Sequence, residues 1–128
     1  MLEKIKVASL TNNMGPGGLG REIITINKRL NKEFFSHFVI SMDSKDDVWS
    51  KFVENDKMFF ISDPKEISRM LEENGINVLY AHRHGKNEPA YDAVAKEISD
   101  KVALLEMNTF SVFDKGYFGR RCEKHVFV

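Results

Sequence analysis

Three short stretches of this chain carry residue types that can bind a ligand or react with one. The first is Gly15-Pro16-Gly17-Gly18-Leu19-Gly20. Its letters satisfy the glycine pattern in which bare backbone approaches a pyrophosphate at a helix N-terminus. The spacing fits less well, because Thr11-Asn12-Asn13-Met14 separate the glycines from the apolar run before them. Asp43 stands where an acid could hold a ribose, although an acid there is common by chance. The plain alternative is a glycine turn that only starts a helix.

The second stretch is Tyr80-Ala81-His82-Arg83-His84-Gly85-Lys86-Asn87-Glu88. Two histidines, an arginine and a lysine make a cationic lip suited to phosphate or sugar hydroxyls, and arginine grips phosphate with two parallel bonds. The alternative is a solvated loop with incidental charges. His82 and His84 have no evident third ligand, so no metal site is expected. The third stretch is Glu106-Met107-Asn108-Thr109-Phe110-Ser111, with Asp114 after it. Polar groups closing an apolar run are costly unless they face a cavity or meet partners. Arg120, Arg121 and Lys124 are expected on a solvated face, and Cys122 has no activating neighbour. No Ser/His/Asp nucleophile pattern and no Walker loop is present.

These stretches need a frame. Residues 5–10, 36–41, 58–61, 77–81, 102–107 and 125–128 have the apolar, β-branched character of strands. Leu19, Ile23, Ile26 and Leu30 recur at helical spacing over 19–31, and Tyr91, Val94, Ala95 and Ile98 do so over 89–99. Between them, Asp63 caps a helix with Pro64 in its first turn and Glu66 at capping-box spacing, and Asn74-Gly75 end it. Trp49, Phe52, Phe59 and Phe60 are expected in the core. Strands alternating with helices imply parallel pairing, because a parallel neighbour needs a crossover of that length. The expected fold is α/β: a three-layer Rossmann-like domain with a mostly parallel sheet of about six strands and helices on both faces. The loops 11–18, 82–88 and 108–118 then converge at one edge, where such sheets bind ligands.

Composition narrows the field. At 128 residues the chain is one domain, and 42% apolar with 30% charged residues argues against disorder. Nineteen basic residues balance nineteen acidic ones, so no net field draws nucleic acid to the chain. A single cysteine excludes an internal disulfide framework and fits a reducing, cytoplasmic compartment. The N-terminus lacks the apolar core of a signal peptide, and no apolar run approaches the ~20 residues that span a bilayer. An end on Phe127-Val128 gives the expectation of a domain cut from something longer.

Taken in order, Asn12 to Glu22, Asn77 to Gly85, Leu105 to Phe110 and the run ending Phe127-Val128 resemble the N-terminal domain of family-4 retaining glycosyltransferases with the GT-B architecture. The resemblance covers essentially the whole chain. It implies an enzyme of two Rossmann-like domains, this one holding a sugar or lipid-linked acceptor and a C-terminal domain, missing here, holding the nucleotide-sugar donor. It places Gly15, Gly17, Gly18 and Gly20 against donor diphosphate and acceptor; Arg83 and His84 of the cationic lip and Asn108 of the third stretch, read from the residues themselves, are the further candidate substrate or phosphate contacts. His82 falls on the family's histidine, with a catalytic role toward the transferred sugar. Asn77 stands where the family's acid stands, and Asn108 where many members carry a histidine. It further implies no tightly bound cofactor, and contact of the full protein with the cytosolic face of a membrane. The isolated chain is expected to transfer no sugar. The runner-up readings are a small nucleotide- or dinucleotide-binding module and a non-catalytic interaction domain that completes a partner chain.

Overall fold

The apolar runs pair into one sheet. The computed structural model describes residues 3–83, 88–108 and 116–127, with side chains up to Lys124. Its strands are β1 (Ile5–Asn13), β2 (Phe35–Asp43), β3 (Met58–Phe60), β4 (Val78–Arg83), β5 (Ala103–Asn108) and β6 (Lys124–Phe127). They lie in the order β3-β2-β1-β4-β5-β6, and every pairing is parallel. The helices are α1 (Gly18–Arg29), α2 (Pro64–Glu73), α3 (Pro89–Glu97) and α4 (Tyr117–Arg121). This is the three-layer, Rossmann-like α/β fold expected from the alternation of elements.

The order reverses at β1 and β4, so right-handed crossovers put α1 on one face and the later helices on the other. Side chains alternate accordingly. Ala8, Leu10, Phe38, Ile40, Leu79 and Ala81 point toward α2 and α3, which bring Ile67, Leu71, Tyr91 and Val94 to the same core. Val39 points the other way, joining Met14, Ile23 and Ile24 beneath α1.

Local signals explain most boundaries. The Asp63 carboxylate accepts the Lys65 backbone N–H at 3.0 Å and so caps α2. Gly75 follows that helix at φ 63°, a left-handed conformation that costs glycine little. Helix α4 was not expected, since its five residues are too few for a periodicity to show. It is held from outside. Arg121 bonds the carbonyls of Ala95 and Ser99 and meets Asp100 at 3.1 Å, so it ties α4 to the end of α3 rather than facing solvent.

The aromatic core needs a further correction. Phe52 and Phe60 are 49% and 47% exposed. Phe60 sits on the edge strand, and Phe52 lies on the connection after β2 with the Lys28 and Lys51 ammonium groups 5.8 and 5.4 Å from its ring. Trp49 and Phe59 are half-buried.

One feature of the register bears on function. β1 pairs with β2 from Ile5 to Asn13, and β4 pairs with β5 from Val78 to Arg83. Between them, β1 and β4 pair only from Val7↔Val78 to Leu10↔Ala81. Beyond that point Thr11–Asn13 and His82–Arg83 diverge, opening a fork at the carboxyl-terminal edge where strand order reverses.

Candidate functional site

The glycine turn stands beside this fork. β1 runs three residues further than expected, so only Met14 separates it from Gly15. The Asn13 carboxamide accepts the Gly15 N–H at 3.0 Å, and the Met14 carbonyl accepts from Val48 and Trp49, tying the turn to the loop after β2. The glycines serve different purposes. Gly15 and Gly20 face neighbours too close for a side chain, whereas Gly17 and Gly18 are exposed with open space around them. Gly17 caps α1 without a side-chain hydrogen bond, so no cap side chain takes up the N–H groups that the first turn of a helix leaves without intrahelical partners. Such a turn suits an anion.

The other expected residues end at the same edge, but their side chains turn inward. Arg83 is fully buried. Its guanidinium meets Glu88 at 3.1 Å and Glu106 at 3.0 Å, and it lies 5.2 Å from the Tyr91 ring and 5.5 Å from that of Phe118. The cationic lip expected at Arg83 is therefore a buried ion cluster tying β4, β5, α3 and α4 together. Glu106, the acid that interrupts an apolar strand, finds its partner there.

His82 is also fully buried, and both of its ring nitrogens are engaged. Nδ1 lies 3.1 Å from Glu22 Oε1 on α1, and Nε2 lies 3.0 Å from Ser9 Oγ on β1. Tyr80 stacks on the ring at 4.8 Å. In this geometry both His82 ring nitrogens are taken up by partners within the chain, Glu22 and Ser9. Burial, and secondarily the Glu22 carboxylate, push the Tyr80 hydroxyl above its ordinary pKa, so it stays a protonated donor.

Asn108 ends β5, buried beside the Arg83–Glu106 pair. Asn77 belongs elsewhere. Its carboxamide accepts the Lys6 N–H at 2.8 Å at the amino-terminal edge, on the rim of a cavity of about 500 Å³ shared with Leu71, Ile98 and Val102. The glycine turn, His82, Arg83 and Asn108 do not line that cavity. His84 lies outside the described residues.

Sequence reasoning missed Glu22, Ser9, His37 and Tyr91. The Tyr91 hydroxyl enters the fork and donates to the His82 carbonyl at 2.8 Å, with Thr11 and Asn12 beside it. Ser9 and His37 sit at alternate positions of apolar strands, the one signal that could have marked them as facing a common layer. Among the described residues, no group of three or more His, Cys, Asp or Glu could hold a metal ion, and no helix is long and apolar enough to cross a membrane.

No protein-family model matches the chain, and no curated protein or solved structure matches it.

Proposed function

We propose that the chain is the acceptor-side domain of a retaining glycosyltransferase of the GT-B architecture, acting on a nucleotide-sugar bound by a second domain. The observation that carries this reading is the glycine turn, open at Gly17 and Gly18, beside a fork between β1 and β4. Departure of a nucleoside diphosphate builds negative charge, and N–H groups at a helix N-terminus stabilise such charge without a metal. Bare backbone at Gly17 and Gly18 lets two large substrates approach closely. Closing a second domain over the fork would exclude water and align donor with acceptor, which alone supplies a large share of the acceleration. Half a cleft supplies neither.

The test is a titration of the ¹⁵N-labelled chain with nucleotide-sugars and simple sugar acceptors, followed by amide resonances and by assays for transfer. Shifts confined to the glycine turn and the fork, with no turnover, are expected. Turnover by the pure chain would contradict the half-cleft reading.

A second reading, a dinucleotide-binding module, is favoured by one observation. The strand extends to within one residue of Gly15, and Asp43 closes β2 in register with Asn13. Tight NAD(P)(H) binding abolished by Gly17→Val would select it over sugar transfer.

A further inference from the structure

Five side chains beneath α1 form one unbroken row. Asn27 Nδ2 lies 3.0 Å from His37 Nδ1, and His37 Nε2 lies 2.8 Å from Ser9 Oγ. Ser9 Oγ lies 3.0 Å from His82 Nε2, and His82 Nδ1 lies 3.1 Å from Glu22 Oε1. His37, Ser9 and His82 belong to the adjacent strands β2, β1 and β4 and are 6%, 1% and 0% exposed. Both ends are wetter. The Glu22 side chain is 33% exposed. Asn27 and His37 line a cavity of about 90 Å³ with Lys4, Lys32, Glu54 and Lys57, room for roughly three waters at ~30 Å³ each.

Counting donors gives the row a direction. With an ionised carboxylate, which only accepts, and a neutral imidazole, His82 carries its proton on Nδ1 and presents Nε2 as an acceptor. The Ser9 hydroxyl then donates to His82 and accepts from His37 Nε2–H. His37 Nδ1 in turn accepts from the Asn27 amide. Every interior member donates once and accepts once.

We propose that this row is a proton wire, crossing beneath α1 from the cavity at the amino-terminal edge of the sheet to Glu22 at its carboxyl-terminal edge. A proton taken up at His37 Nδ1, with the Asn27 amide rotated to offer its oxygen, releases the Nε2 proton to Ser9 Oγ. The original hydroxyl proton passes to His82 Nε2, and the His82 Nδ1 proton passes to Glu22 Oε1. At each ring one N–H bond forms and one breaks; at Ser9 one O–H bond forms as another breaks. One proton enters, one arrives on the carboxylate, and no other reactant is needed. The transfer leaves both imidazoles in the opposite tautomer, so resetting requires each ring to turn over or a proton to return the other way, as well as rotation of the hydroxyl and the amide.

The surroundings suit transit rather than storage. Burial first, then His82 and Lys57, lower the His37 pKa to about 4, so a proton does not rest there. Lys4, Lys32 and Glu54 complete the charged groups on its cavity side. Around His82 the titratable neighbours are Glu22, Tyr80 and, through Ser9, His37. The wire stands independently of the proposed sugar transfer.

The experiment is long-range ¹H–¹⁵N spectroscopy of the imidazoles in the 128-residue chain near neutral pH. The wild type is expected to show single tautomers, Nδ1–H at His82 and Nε2–H at His37. Glu22→Gln replaces an acceptor by a group that also donates, so His37, which does not touch position 22, is expected to become a mixture of tautomers. Asn27→Asp puts acceptors at both ends, and the two imidazoles are then expected to gain one proton between them. Mixed tautomers in the wild type overturn the wire. So does a His37 tautomer indifferent to Glu22→Gln, or an imidazole pair that stays neutral in Asn27→Asp.

Discussion

Gly20 lies so close to the Trp49 indole that a methyl group there would overlap Cδ1, and it would also stand 3.1 Å from Cγ and 3.2 Å from the Gly15 carbonyl oxygen. The first turn of α1 is thereby pressed against the loop after β2. The Arg21 guanidinium covers the same indole at 5.9 Å.

Gly20→Ala tests this contact against helix propensity. Propensity alone favours alanine by about 1 kcal/mol, whereas displacing a half-buried indole costs about 1–3 kcal/mol. The variant is expected to be less stable in urea, with altered emission from the chain's single tryptophan. Gly17→Ala, in open space with extended backbone, is expected to stay within about 0.5 kcal/mol of the wild type. Equal melting of the two variants would refute the contact.

Arg83→Met leaves Glu106 buried without its guanidinium partner, and a loss of about 3–5 kcal/mol is expected. Removing both charges, as Arg83→Met with Glu106→Met, is expected to recover part of that loss. A double variant less stable than Arg83→Met would show that the cluster matters through packing instead of charge.

His37 makes stability depend on pH. Its folded-state pKa, lowered from 6.5 to about 4, means that the unfolded chain binds the proton first on acidification. Stability from this group is complete above about 6.5 and is lost as pH falls toward 4, by on the order of 3 kcal/mol. Urea midpoints of the wild type should fall across that window. His37→Gln should flatten the fall, and an unchanged slope would exclude His37 as its source.

Cys122 is expected to resist alkylation. Burial first, then the Glu106 carboxylate, push its thiol up to about 12, so little reactive thiolate exists near pH 8. Iodoacetamide should modify the native chain roughly 10³-fold more slowly than the urea-unfolded chain. Similar rates in both states would show an accessible, ordinary thiol.

The fold was legible because its signals are local. Alternating strands and helices, the Asp63-Pro64 start and the Gly75 stop each depend on a few neighbouring residues. The site was legible only in outline. Glycine spacing marked the turn, but whether Arg83 and His82 face a ligand or each other's supports depends on which strands lie side by side. Arg83 turns inward because Glu106 lies diagonally across the β4–β5 ladder on the same face, a pairing that single-chain spacing does not contain. Ser9 and His37 were overlooked for the same reason. Each is an unremarked polar residue in an apolar strand until parallel register brings them within 2.8 Å.

The early end of the β1–β4 ladder has a mechanical consequence. The sheet consists of two panels, β3-β2-β1 and β4-β5-β6, stitched along a seam of four register pairs, while eight join β1 to β2 and six join β4 to β5. A wedge entering at the carboxyl end meets side-chain bonds that cross the seam, Asn12 Nδ2 to Glu88 Oε2 at 3.5 Å and Ser9 Oγ to His82 Nε2 at 3.0 Å. Because Ser9 belongs to one panel and His82 to the other, spreading the seam would stretch the bond between them. Whatever parts the panels therefore also acts on the hydrogen-bonded row beneath α1.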